Sequence, residues 1–156
     1  MGITLSDQLI EDLIFFDVEA DNQIDLLEKM SNILHERGYV TADYKDSIIK
    51  REKLYPTGLK LEEIQFAIPH TDADMVIKPG VAFVQLKNRV RFTEMATFDG
   101  IVDAKVVFML LLHKDGSQVE LLQDIIARAC TPGFISSLEE AKTKEEVIRI
   151  IAGNNE

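Results

Sequence analysis

Apolar positions along this chain recur with two different periods, and the chain switches between them several times. Ile24, Leu27, Met30, Ile33 and Leu34 fall on one face at helical spacing. Gly38 follows where a helix would close through a left-handed residue. A second helix is predicted over Thr41 to Leu54, with Tyr44, Ile48 and Ile49 on one side, until Pro56-Thr57-Gly58 breaks the pattern. Ile64 to Ile68 then reads as a short strand stopped by Pro69. Val81 to Leu86 reads as another strand, entered through Pro79-Gly80, with Lys87-Asn88-Arg89 as a tight connection to Val90-Arg91-Phe92. Lys105 to Leu112 is apolar nearly throughout, the mark of a central strand covered on both faces.

After the turn Lys114-Asp115-Gly116, Ser117 and Glu120 have the spacing of a capping box in front of Leu121, Leu122, Ile125 and Ile126. Thr131-Pro132 is expected to open a further short helix with proline at its first position. Thr143 with Glu146 is a second capping box, and Gly153 closes the last helix. Strands and helices do not alternate strictly. The expectation is therefore an α/β fold, one domain over residues 1–156, with a mixed sheet of about four or five strands and helices on both faces.

Composition narrows the function. The net charge is −10, from 27 acidic and 17 basic residues, which opposes binding to nucleic acid, where clustered Lys and Arg must neutralise phosphates. The single cysteine, Cys130, rules out an internal disulfide, and its place at the end of a predicted helix reads as a small buried residue. No secretory leader pattern stands at the amino end, and the longest apolar run, Val106 to Leu112, is far short of a membrane span. A cytoplasmic protein without direct membrane insertion is expected. Glycine-rich phosphate loops and zinc-ligand spacings are missing from the sequence, so no metal or cofactor is expected.

The stretch "FAIPHTDAD" carries the clearest chemical candidate. Pro69 fixes a backbone dihedral and pushes Ile68 toward the extended region, so His70 is presented past a strand end on stiff backbone. An imidazole so held suits a general base or a nucleophile that is itself modified, though a turn histidine without a role has the same local sequence. A base in an acyl-transfer enzyme needs a Ser or Cys nucleophile, and there is no G-x-S-x-G elbow, which disfavours an ordinary hydrolase. His35, next to a helix end, reads as structural, its cationic form suiting the dipole there. Asp72 and Asp74 read as turn-shaping residues, since carboxylates repel a phosphoryl group.

"REKLYPTGLKLEEIQFAIPH" resembles the signature of the mannitol/fructose-type enzyme IIA domains of the bacterial phosphotransferase system. Arg51-Glu52, Tyr55 to Leu59 and Ala67 to His70 carry the match. "KPGVAFVQLKNRVRF" and "AKVVFMLLL" extend it over nearly the whole chain, and "AIPHTDAD" is most similar to the galactitol branch. The resemblance implies a phosphoryl relay. Phosphorylated HPr would donate to His70, which would hand the group to a cysteine of a IIB partner coupled to a membrane IIC channel. Arg51 and Thr57 would hydrogen-bond the phosphoryl oxygens.

The residue chemistry agrees with that expectation. A neutral imidazole attacks phosphorus readily near pH 7, and its phosphoramidate is labile enough to pass the group on. A transferring phosphoryl group needs positive charge and oriented donors at its oxygens, and a guanidinium provides both. The chain departs from many relatives at Gln65 and Thr71, where glycine or a small residue is common, and at Gln118, where many carry a second histidine. His113, at the end of the predicted central strand, is the other candidate helper. A free-standing regulatory module of the same fold, in which phosphorylated His70 switches partner binding, is the alternative reading.

Overall fold

The computed structural model describes residues 4–153. Its centre is a five-stranded sheet in the order β1-β4-β5-β3-β2, formed by β1 (Leu9–Val18), β2 (Gly58–Leu61), β3 (Ile64–Ala67), β4 (Gly80–Thr93) and β5 (Ile101–Leu111). β1 runs parallel to β4 and β3 parallel to β5, while β4–β5 and β2–β3 are antiparallel pairs. The sheet is thus mixed, and its central strand is the apolar run expected from sequence.

Six α-helices cover it: α1 (Leu5–Gln8), α2 (Gln23–Glu36), α3 (Tyr44–Leu54), α4 (Gln118–Ala129), α5 (Phe134–Glu140) and α6 (Lys144–Ile151). Successive strand residues belong to opposite cores. Val81 and Phe83 pack with Val106, Phe108 and Leu110 beneath Leu121, Ile125, Leu138 and Val147. Ala82, Val84, Val107 and Met109 pack with Leu26, Met30, Tyr44 and Ile48 on the other face. Helices therefore lie on both faces of the sheet, as the double burial of the central strand requires.

Several local expectations are corrected. β1 has no clean alternation, because the adjacent Leu13 and Ile14 are buried in opposite cores and Glu11 and Asp12 are exposed. Val81 to Leu86 and Val90 to Phe92 are one strand, and Lys87-Asn88-Arg89 is a register shift inside β4 rather than a turn. The Ser117 hydroxyl makes no cap, since the residue has φ −78° and ψ 5°, not the extended backbone that an N-cap side chain uses. Thr131-Pro132 precedes α5, whose N-cap is the left-handed Gly133 at φ 84°. Cys130 is exposed, not buried. The capping box of Thr143 and Glu146 forms as its spacing predicts, and Gly38 adopts φ +83° after α2.

Pro56-Thr57-Gly58 is more than a helix breaker. Gly58 begins β2, and a Cβ there would stand 2.7 Å from the Thr93 carbonyl oxygen and 2.9 Å from Val102 Cγ2. Only glycine permits that approach, which seats the β2–β3 hairpin against the β4–β5 pair.

Candidate functional site

Beyond Ala67 the chain continues alongside the carboxyl end of β5. The Ile68 N–H donates to the Thr57 carbonyl at 3.1 Å, and the Leu110 N–H donates to the Pro69 carbonyl at 3.0 Å. His70 forms a single parallel bridge to Leu110. Proline, with no N–H of its own, leaves its carbonyl as the tie to β5, so the residue after it is fixed in space.

The His70 ring is fixed as well. Nδ1 lies 2.8 Å from the Ile68 carbonyl oxygen, which can only accept, so Nδ1 carries the proton and Nε2 holds the lone pair. Desolvation in this half-buried position pushes the imidazole pKa below its ordinary value, and the charge of Arg51 lowers it further against the opposing hydrogen bond to Ile68. The ring is a neutral nucleophile at neutral pH.

A cavity of about 350 Å³ opens at this end of the sheet, lined by Arg51, His70, Asp72, His113, Lys114 and Gln118 among others. Arg51 comes from the last turn of α3. Its guanidinium lies 5.1 Å from the Tyr55 ring centre and 3.9 Å from an Asp72 carboxylate oxygen, and the side chain is 39% exposed. Those contacts are weak enough to exchange for a better anion. His113 follows β5, and its Nε2–H donates to Gln8 Oε1 at 2.7 Å. Gln118 is the first residue of α4, whose N-terminal turn carries no side-chain cap.

Thr57 is placed differently from the other candidates. It is buried, it does not line the cavity, and its hydroxyl donates to Glu52 Oε1 at 2.8 Å. Thr71 is buried too, with its hydroxyl paired to that of Ser47 on α3 at 2.5 Å. Asp74 lies in a 3-10 turn over Ala73–Met75, and His35 in the last turn of α2. Gln65 accepts a hydrogen bond from the Asp103 N–H at 2.9 Å. Sequence reasoning brought His70, Arg51, Gln118 and His113 to one cavity, but assigned nothing to Lys114, Gln8 or Glu52. A signal for Glu52 existed, since it lies four residues beyond Ile48 and eight beyond Tyr44 on the buried stripe of α3.

The family model for the phosphoenolpyruvate-dependent sugar phosphotransferase system, EIIA 2, matches residues 8–154. The chain is 25% identical over 135 residues to the galactitol-specific EIIA component of Escherichia coli K12, covering 85% of this chain and 89% of that protein. It is 29% identical over 149 residues to the mannitol-specific IIA component of Staphylococcus aureus MRSA252, covering 94% and 96%. Among solved structures, it is similar to a chain of the complex of enzyme IIA and phosphorylated enzyme IIB for mannitol from Escherichia coli. That match has a TM-score of 0.73 at 25% identity, covering 92% of this chain and 96% of that one.

Proposed function

Because the chain belongs to the EIIA 2 family of the sugar phosphotransferase system, a family of phosphotransferase components, we propose that His70 is the residue that carries the phosphoryl group. The observation that supports this reading most is the ring orientation: Nδ1–H is tied to Ile68, which leaves Nε2 as the attacking atom in a cavity that Arg51 shares. In the first step the Nε2 lone pair forms a bond to phosphorus of phosphorylated HPr. The bond from phosphorus to the donor breaks, and its electron pair leaves with the donor. Nε2 needs no deprotonation, since its proton is already absent.

In the second step a cysteine thiolate of a IIB partner attacks phosphorus, and the electron pair of the P–N bond returns to Nε2. Arg51 stabilises the phosphoryl oxygens in both directions. The amino end of α4, including the Gln118 side chain, supplies neutral donors and the positive end of a helix dipole. The relative that forms a complex with phosphorylated IIB supports a IIB protein as the recipient. Coupling to a membrane IIC channel completes the uptake system, and the chain itself acts in the cytoplasm. No helix among the described residues is long and apolar enough to cross a membrane. Relatives named for galactitol and mannitol support a sugar alcohol as the transported solute, with galactitol the favoured case.

The test is phosphoryl transfer from labelled phosphoenolpyruvate through enzyme I and HPr to the purified chain. Wild type takes up acid-labile label, His35→Ala does the same, and His70→Ala takes up none. Label on His70→Ala would reject the assignment.

A further inference from the structure

A buried acid one residue beyond Arg51 is unused by this mechanism. Glu52 is 3% exposed and has no cationic partner among the described residues. Both of its carboxylate oxygens serve Thr57: Oε2 accepts the Thr57 N–H at 2.9 Å, and Oε1 accepts the hydroxyl at 2.8 Å. The Thr57 carbonyl in turn accepts the Ile68 N–H at 3.1 Å, and the Ile68 carbonyl accepts His70 Nδ1–H at 2.8 Å. Four hydrogen bonds thus run from a side chain of α3 to the ring that the mechanism needs in one tautomer. We propose that Glu52 is a positioning residue, which holds the Thr57 and Ile68 peptide groups so that the Ile68 carbonyl keeps His70 in its Nδ1–H form.

The physical reasons are these. A histidine tautomer is set by the partner of the ring nitrogen that does not react. Here that partner is a backbone carbonyl, so its aim depends on the peptide that carries it. The Ile68 peptide is short of other anchors, because Pro69 offers no N–H. Its N–H is tied to Thr57, and Thr57 is tied to Glu52. The same side chain closes the link from the end of α3 to β2, so the helix turn that carries Arg51 and the segment that carries His70 move as one. Burying an acid with no cation is unfavourable, and burial raises the Glu52 pKa to about 7. A residue kept only to fill space would be apolar.

The proposal rests on His70 being the phosphoryl acceptor, and the experiment separates the two. The full chain with 15N-labelled histidine is studied by NMR at about pH 7.5, where two-bond couplings report which ring nitrogen carries hydrogen. Wild type shows His70 in the Nδ1–H tautomer alone. Glu52→Gln, which keeps an acceptor for the Thr57 N–H, retains that tautomer and accepts label at a rate within about twofold of wild type. Glu52→Met keeps the volume but removes both acceptors. It populates the Nε2–H tautomer and slows acceptance from phosphorylated HPr by roughly tenfold, the scale of one lost hydrogen bond. A folded Glu52→Met protein with an unchanged tautomer and rate overturns the proposal. If that variant does not fold, Thr57→Val is read instead. It should shift the tautomer in the same direction by less, and unchanged ring signals there also overturn the proposal. The tautomer readout needs no phosphoryl donor, so it stands even if wild-type label is found on another residue, a result that rejects only the acceptor assignment.

Discussion

His113 and Gln8, 105 positions apart in the chain, are joined by a hydrogen bond of 2.7 Å from the ring Nε2 to the amide oxygen. Neutral His113 therefore has Nδ1 as its free ring atom, an acceptor that offers nothing to a phosphoryl oxygen. Only the cationic ring presents a second donor, and Gln8 accepts from Nε2 in both states. Arg51 donates as a cation at every accessible pH.

The three helpers should consequently rank in single-turnover acceptance from phosphorylated HPr. Arg51→Ala should slow the step by roughly 10–100-fold, the range for a lost hydrogen bond to a charged group. Gln118→Ala should cost less than about tenfold, since one neutral donor is removed. His113→Ala should lie below Arg51→Ala at pH 8 and approach it as the pH falls. A His113→Ala loss that exceeds the Arg51→Ala loss at pH 8 contradicts this order.

Acceptance should also resist mild acid. Burial and the Arg51 charge hold the His70 pKa below 6.5, so the ring stays neutral where a free imidazole is half protonated. The rate should be flat from pH 8 to about 6.5 and fall only below that, because protonation removes the Nε2 lone pair. A pH–rate profile of single-turnover labelling that already bends above 6.5 would contradict this placement of the ring.

Glu52 should leave a mark on stability of opposite sign. Its folded pKa is raised from 4.5 to about 7, so on raising the pH the unfolded chain loses this proton first. The stability present below pH 4.5 should decline as pH rises through about 7, by on the order of 2–3 kcal/mol. Urea unfolding of wild type and Glu52→Gln at pH 5 and pH 8 measures it. The substitution should favour the folded state more at pH 8 than at pH 5, and an equal effect at the two pH values rejects the assignment.

Gln85 offers a test remote from the cavity. Its buried amide donates to the carbonyls of Leu138, Glu139 and Ala141 at 2.9, 3.2 and 2.8 Å, which closes the carboxyl end of α5 from inside the sheet. Gln85→Met should destabilise the chain by about 1–3 kcal/mol, because it leaves those carbonyls with fewer donors. The denaturant midpoint should fall while phosphoryl acceptance by the folded protein is unchanged.

What the sequence determined by itself was the part governed by near neighbours. Thr143 and Glu146 form their capping box because both hydrogen bonds lie within one helical turn. Pro69 stiffens the approach to His70 wherever the segment is placed, and the double-faced apolar run of β5 has no stable position except the middle of a sheet. The tertiary structure decided whatever depended on a distant partner. β1 has no regular period to read, because it is buried on both faces for only two residues, and its pairing with β4 joins Leu9 to Val81. Thr57, whose local sequence reads as turn chemistry, spends its hydroxyl on a buried acid rather than on the cavity. Arg51, His70, His113 and Gln118 come from four separate stretches, and no local rule brings them together. The parallel pairing of β3 with β5 does so, since it brings the ends of both strands to one edge where α3 and α4 also meet the sheet.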